Sequence, residues 1–377
     1  MNLTNKTILI TSSNAWGKMH ISKHHYAKEL AKRNNIVYFL NPPQYELNKR
    51  IIIENVLDNL FVISYKPFFL FKIRFHFRLF FDLLIKFQIN YILKKTSKKI
   101  DVLISFETNL FSNLTDFHAK LNIYFPVDMI IGKYQKNLLN SADLVFSVSN
   151  EIINKIKNIT ERNNVFFINH GLSKEFISNY NENSIFKKDK INVCFSGNLF
   201  IYSLDRKTFK TIIQENQQIN FHIYSPYKVE ETNLGGFCEK ESLDFIEFLK
   251  TCRNVILKGV VETKLLSEEI GTYNAFILLI NTQFDINKGS NSHKILEYLS
   301  KGKVIISSHI STYYKTGLIE MVDELHNENY PALFQKVISN LEYYNNPELQ
   351  RKRIEYALDN TYEKQIERIE KIINENF

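Results

Sequence analysis

The sequence predicts an α/β protein made of two doubly wound domains, each a parallel sheet flanked by helices. Three observations carry this. Short apolar runs alternate with helical patterns along most of the chain, which is the signature of successive βα units. The alternation breaks at a polar stretch over residues 173–190 and then begins again. With 377 residues the chain exceeds one ordinary core, and two domains of roughly 150 to 200 residues are the natural division.

The elements follow in order. Residues 8–11 read as a strand, 22–33 as a helix opened by Ser22, and 36–40 as a strand ending at Asn41-Pro42-Pro43. Residues 61–64 form another strand, with helical sequence following to about 95. The runs 101–105, 121–125 and 143–147 are short and apolar, as strands buried on both faces must be. Residues 151–157 are helical, and 165–169 end at His170-Gly171. Beyond the polar stretch, a strand over 191–196 ends at Gly197, a helix covers 206–215, and 221–224 is a strand. Residues 254–258 end at Gly259, 265–271 form a short helix, and 275–280 and 304–307 are strongly apolar strands. Helices fill the chain from about residue 331 onward. The expected division is 1–172 for an N-terminal domain, 173–190 for a linker, 191–345 for a C-terminal domain, and 346–377 for a helical tail.

Composition narrows the function. Hydrophobic residues make up 44% and charged residues 23%, the balance of a globular rather than a disordered chain. Glycine is scarce, at 11 residues, or about 3% against a usual level of about 7%. Cys194, Cys238 and Cys252 cannot make a paired framework and read as reduced thiols of a cytoplasmic protein. Met1 leads straight into the strand-like Ile8-Leu9-Ile10, so no signal peptide is expected. No apolar run approaches the roughly 18 residues of a membrane span.

The formal net charge is +8, and its location is more telling than its size. Residues 66–99 hold nine Lys or Arg against one acid, Asp82, a surplus equal to the whole net charge. The same segment holds eight phenylalanines together with Tyr91. Basic, aromatic and aliphatic residues together suit an anionic membrane surface. The competing account is a buried helix pair whose charges snorkel outward. No nucleic-acid motif accompanies the charge, and nucleic acid is not expected as a partner.

The most informative stretch runs from Gly289 to Ser308. A Gly-Ser-Asn-Ser turn opens a short helix, which stops at Gly302 and feeds Val304-Ile305-Ile306. The backbone of Ser290, Asn291 and Ser292 falls at the helix start, where free N–H groups and partial positive charge suit a diphosphate. Lys294 stands in the first turn and Glu297 three residues on. A cation near phosphates and a carboxylate near a ribose are what a nucleotide-sugar site needs. Gly197 and Gly259 each follow a strand end, where a missing side chain lets a backbone approach a ligand or turn sharply. Arg206 opens the next helix and offers further positive charge, or an ordinary surface cation.

Other chemistries lack their residues. After the first strand stands Thr11-Ser-Ser-Asn-Ala-Trp-Gly17 rather than a Gly-x-Gly-x-x-Gly turn, so a dinucleotide cofactor is not expected. There is no Gly-Lys-Ser/Thr phosphate loop, no Asp-x-Asp pair, and no His or Cys set with metal-ligand spacing. No metal is expected, and leaving-group charge falls to helix dipoles and Lys or Arg. In the N-terminal half, Trp16 lies in the first loop beside Lys18 and His20, and His24 and His25 open the following helix. Histidines clustered at the carboxyl end of a strand are functional candidates. Glu107 and Asp128 follow strands at the same edge; either suits a base or an orienting carboxylate, and a capping role competes.

These residues resemble the GT-B-fold glycosyltransferases, in particular the group-1, family-4-like set that builds bacterial surface polysaccharides. The stretch Ser22-Lys-His-His-Tyr-Ala-Lys-Glu-Leu-Ala-Lys-Arg33 before Val37-Tyr-Phe-Leu-Asn-Pro42 is similar to their first helix and second strand. Ala142-Asp-Leu-Val-Phe-Ser-Val-Ser149 resembles a recurring segment that ends in serine at a helix start. Residues 165–171 are similar to their inter-domain strand, with His170 in place of the usual asparagine. The most specific match is Lys294-x-x-Glu297-Tyr-Leu-x-x-Gly302-Lys.

The resemblance implies two Rossmann-like domains facing across a cleft, and a last helix that packs back on the N-terminal domain. It implies a nucleotide-diphosphate sugar in the C-terminal domain, with Glu297 on the ribose and Lys294 or the 290–292 backbone near the diphosphate. The acceptor, a glycan or lipid-linked glycan, falls to the N-terminal domain, where Trp16, Lys18, His20 and Glu107 are the candidates. Asp128, His24 and His25 are the catalytic candidates. Many relatives that retain configuration carry a second Glu eight residues before the ribose Glu, where this chain has Gly289. The function expected is a metal-independent glycosyltransferase in the cytoplasm, peripheral on the inner face of the membrane. A nucleotide-sugar epimerase and a degenerate scaffold of the same fold are its rivals.

Overall fold

The computed structural model describes residues 1–17, 20–96, 98–128, 135–177, 190–228, 239–285 and 291–377. The chain forms two compact units, one of residues 1–170 with 362–377, the other of residues 171–361. This differs from the expected division in two places. Residues 171–177 belong to the second unit, where Leu172 and Phe176 are core residues. The expected tail 346–377 is two helices, α11 (Pro347–Leu358) in the second unit and α12 (Tyr362–Asn376) in the first.

The first unit is built on β1 (Thr7–Thr11), β2 (Ile36–Leu40), β3 (Ile51–Leu57), β4 (Leu60–Tyr65), β5 (Val102–Ser105), β6 (Leu121–Tyr124), β7 (Leu144–Ser147) and β8 (Val165–Phe167). The sheet order is β3-β4-β2-β1-β5-β6-β7-β8, parallel except for the β3–β4 hairpin. Alternate residues of one strand feed opposite faces, as a period of two requires. Ile8 and Ile10 join the core under α1 (Ser22–Lys32), and Leu9 joins the core under α2 (Arg78–Leu93). Helix α12 closes the first of these cores with Tyr362, Ile366, Ile369 and Ile373, one apolar stripe at helical spacing. Helices α3 (Gln135–Asn140) and α4 (Asn150–Thr160) complete the second face.

The second unit carries β9 (Asn192–Ser196), β10 (Asn220–Tyr224), β11 (Val255–Leu257), β12 (Ala275–Leu278), β13 (Val304–Ser307) and β14 (Glu320–Met321). Their order is β11-β10-β9-β12-β13-β14, with every pair parallel. Between the strands run α5 (Arg206–Glu215), α6 (Lys240–Thr251), α7 (Thr263–Glu269) and α8 (His293–Leu299), followed by α9 (Tyr330–Ile338) and α10 (Leu341–Tyr344). Val193 and Phe195 pack on one side of this sheet and Cys194 on the other. Cys194 and Cys252 are free thiols, and Cys238 lies outside the described residues.

Within each sheet the central six strands run in the doubly wound order, two βα arrays diverging from the first strand. The order reverses between β1 and β5 in the first unit, and between β9 and β12 in the second. Ligands of open parallel sheets bind past the carboxyl ends of the strands at that reversal. The loops after β1 and β9 are therefore where a site belongs.

Candidate functional site

In the first unit, the loop after β1 and the start of α1 form one aromatic cluster. The Trp16 ring lies 5.0 Å from His20, 5.3 Å from His24 and 5.1 Å from Phe39. Asn41 Oδ1 accepts the Trp16 backbone N–H at 2.8 Å and fixes the loop to the end of β2. The expected grouping of Trp16 with His20, His24 and His25 is thus present in space. Lys18 lies outside the described residues.

His24 is not a free base, which corrects its place among the catalytic candidates. It is 1% exposed. Its Nδ1 accepts the Ile21 backbone N–H at 3.1 Å, so the proton sits on Nε2, which donates to Ala15 O at 3.1 Å. Burial pulls its pKa down to about 4, partly opposed by the bond to Ala15. The ring holds the loop on the helix as a neutral strut. His25 stacks on Tyr362 of α12 at 4.9 Å and 15°. His170 Nδ1 stands 3.4 Å from Ser22 Oγ, and its carbonyl accepts Gln365 Nε2 at 3.1 Å.

Glu107 is buried just past β5, where one carboxylate oxygen accepts the backbone N–H groups of Asn109 at 2.9 Å and Leu110 at 3.2 Å. No helix starts here, so the bonds brace a loop rather than cap a helix, and they make Glu107 a builder of the β5 loop. Asp128 is exposed past β6. Electrostatically coupled to both is a residue that sequence reasoning missed. Lys23, in the first turn of α1, is 4% exposed, and its Nζ donates to Ser13 Oγ at 3.2 Å. Burial lowers its pKa, against the pull of Glu107 and then Asp128. A buried ammonium facing two carboxylates at a strand-reversal edge is a candidate in its own right. Nothing in the run of lysines at 23, 28 and 32 singles it out.

In the second unit, α8 is tied to the strand at which the sheet order reverses. The Tyr298 hydroxyl accepts the backbone N–H of Ser196, the last residue of β9, at 2.7 Å. Its ring is wholly buried and stacks on Phe276 of β12 at 4.2 Å and 3°. Gly302, at φ +73°, ends the helix, and a Cβ there would stand 3.0 Å from Ile354 of α11. The helix is therefore fixed at its C-terminal end, one residue past Glu297.

Lys294 and Glu297 form an ion pair on this helix, Nζ to Oε2 at 3.1 Å, with His293 Nε2 4.0 Å from the other oxygen. The pair is partly open, with side-chain exposures of 23% and 16%. Asn291 Oδ1 accepts the backbone N–H of Ser292, which precedes the helix. Ser290 and Gly289 lie outside the described residues. Gly197 follows β9 directly, and a Cβ there would come within 2.8 Å of the Phe195 ring. Gly259 turns at φ +73° after β11.

Arg206 departs from its expected place at the donor. It is 4% exposed, and its guanidinium donates to Leu199 O at 3.0 Å, Ile201 O at 2.8 Å and Ser242 Oγ at 2.7 Å. It ties the loop after β9 to α6, because buried carbonyls need donors. A second polar network was also not foreseen: Glu269 accepts from Tyr224 and, at 3.3 Å, from Lys258, with Tyr273 2.6 Å from the Tyr224 hydroxyl. The Tyr224 bond holds Glu269 below the usual carboxylate range. A groove of about 540 Å³ lies away from all these residues, lined by Leu83 and Lys86 of α2, by Asp116, and by Asn137 and Asn140 of α3. Among the described residues no cluster of His, Cys, Asp or Glu is arranged to hold a metal ion.

Two doubly wound sheets of this order fit the GT-B fold, and comparison with solved structures gives that fold. The chain is similar to an α,α-trehalose-6-phosphate synthase from Burkholderia multivorans (TM-score 0.70, 10% identity, 99% of each chain covered). It is similar to the sucrose-phosphate synthase of Thermosynechococcus elongatus (TM-score 0.69, 9% identity, 98% of each chain). It is also similar to Anabaena HepE in complex with UDP and glucose (TM-score 0.68, 12% identity, 98% of this chain and 99% of that one). No protein-family model and no curated protein sequence matches the chain.

Proposed function

We propose that the chain is a glycosyltransferase that moves a sugar from a nucleotide-diphosphate donor to a glycan acceptor, with no resident metal or cofactor. The observation that carries this is the partly open Lys294–Glu297 pair on a helix locked to the reversal strand of the second unit. A carboxylate there accepts both hydroxyls of a ribose, and the ammonium, released from the pair, meets the diphosphate. Asn291, Ser292 and the Ser290 backbone stand next to it in sequence, and Gly259 lets the chain turn in the left-handed region at another strand end of the same sheet. Two structures of the same fold support the choice of ligand: HepE holds UDP and glucose, and the E. coli trehalose-6-phosphate structure holds UDP-2-fluoro glucose.

The acceptor belongs to the first unit, beside Trp16 and His20. In the transfer, the acceptor oxygen bonds to the anomeric carbon, the bond from that carbon to the diphosphate breaks, and the acceptor proton leaves to a base. Asp128 is the base this reading favours, since His24 has both nitrogens engaged. Lys23 is positioned to hold the acceptor or orient the carboxylates. The finer reading is a lipid-linked acceptor at the cytoplasmic face of a membrane, in surface polysaccharide synthesis; the exposed apolar and basic side of α2 supports it. The test is product analysis with a panel of nucleotide sugars, with and without glycan acceptors. Release of nucleoside diphosphate that depends on acceptor supports transfer. An altered sugar on the nucleotide with donor alone makes the protein an epimerase instead.

A further inference from the structure

Helix α2 is apolar on two opposite sides. Its inner side places Phe81, Ile85, Ile89 and Ile92 in the core of the first unit. Its outer side places Leu79, Phe80, Leu83 and Phe87 in solvent, with Leu79 84% and Phe87 71% exposed. The segment just before it adds Leu70, Phe75 and Phe77, each more than half exposed. The four outward positions on α2, residues 79, 80, 83 and 87, follow helical spacing, so they share one face rather than being scattered. A helix that is hydrophobic all round is normally covered on both sides, and a soluble surface rarely gathers an apolar patch of this kind.

Charge identifies what covers it. Lys72 and Arg74 flank the aromatic turn, Lys86 sits on the helix, and Lys94, Lys95, Lys98 and Lys99 follow its end. The one acid of the segment, Asp82, is bonded to Arg78 at 2.9 Å. Lys72, Lys94, Lys98 and Lys99 are exposed and form no ion pair among the described residues. A second copy of this chain would set like charges against each other across a two-fold contact. The cores of protein interfaces are also depleted in lysine. Rings that enter the headgroup region, with cations beside them for lipid phosphate, meet neither objection.

We infer that this face docks on an anionic lipid bilayer, with α2 lying in the plane of the surface. At 16 residues, and with its inner side in the core, the helix lies on the bilayer rather than through it. The inference deepens the transferase reading, because a lipid-carried acceptor is met at such a surface, and it rests on that reading for the acceptor alone.

Flotation of the full chain with vesicles tests it, using phosphatidylcholine alone and phosphatidylcholine with phosphatidylglycerol, at low and high salt. The wild type is expected to float with the anionic vesicles at low salt and to be released in part by high salt. Phe80→Ser with Phe87→Ser should lower retention by about tenfold or more, since both rings are exposed and outside the core. Lys94→Glu with Lys98→Glu should lower it similarly on anionic vesicles. Retention equal in all variants, or a wild type that ignores vesicles, overturns the inference. So does a wild-type dimer in solution that the double Phe variant converts to monomer while vesicles go unbound. Nucleotide-diphosphate binding measured on the same samples keeps the two ideas apart: loss of vesicle binding alone removes the surface, and absence of nucleotide binding alone removes the transferase.

Discussion

The hydroxyl of Tyr298 accepts the backbone N–H of Ser196 at 2.7 Å, which fastens the residue after Glu297 to the end of the strand where the second sheet reverses. That bond converts a sequence spacing into a fixed position. Tyr298→Phe leaves a buried backbone N–H without its partner and should cost about 1 to 3 kcal/mol of stability. Chemical denaturation of the second unit reads this. Nucleotide affinity should also weaken, because Glu297 loses its anchor; an unchanged affinity separates the helix position from the site.

Gly302 gives a second test of the same helix. Its φ is +73°, and a Cβ would crowd Ile354 at 3.0 Å and Gln350 at 3.2 Å, closer than ordinary contact. Gly302→Ala should destabilise by roughly 1 to 3 kcal/mol, through the left-handed backbone and the clash together. Gly259→Ala shares the conformation, at φ +73°, but meets Tyr227 only at 3.4 Å, so its cost should be the smaller. Melting curves of the two variants rank them.

Acid should unfold the first unit through His24. Its pKa is about 4 in the fold against about 6.5 for a free imidazole. Between those values the unfolded chain binds the extra proton. The stabilisation is therefore complete above about pH 6.5 and is lost as pH falls towards 4, a span worth about 3 kcal/mol at most. His24→Asn should be less stable at neutral pH and show a shallower fall of the melting temperature over that window.

Lys23→Met tests function and stability together. Removing the ammonium leaves the buried Glu107 carboxylate without its counter-charge, so the variant should be destabilised, by up to about 3 to 5 kcal/mol. Transfer should fall at least about tenfold while donor affinity holds, if Lys23 serves the acceptor side. Normal transfer by this variant would place Lys23 among the structural residues of the β1 loop.

Most of the sheet was legible in the sequence because its strands are buried on both faces and read as unbroken apolar runs. β3 was not, since it lies at the edge and mixes Glu54 and Asn55 among its isoleucines. α6 was not read either, although Phe245, Ile246 and Leu249 stand at helical spacing. The Lys294–Glu297 spacing was readable as two groups on one helix face, and the structure pairs them at 3.1 Å. Arg206 and His24 were misread for the opposite reason. Whether a cation or an imidazole serves a ligand or the backbone depends on which carbonyls fold around it, and spacing does not record that. Lys23 went unnoticed because burial, not residue type, is what distinguishes it from the lysines of the same helix.

Calorimetric titration with nucleoside diphosphates and nucleotide sugars, on wild type and Glu297→Ala, tests the central claim most directly. The account predicts saturable binding of at least one such ligand by the wild type, weakened about tenfold or more by the substitution. Absence of binding across the panel, or affinity untouched by Glu297→Ala, contradicts it.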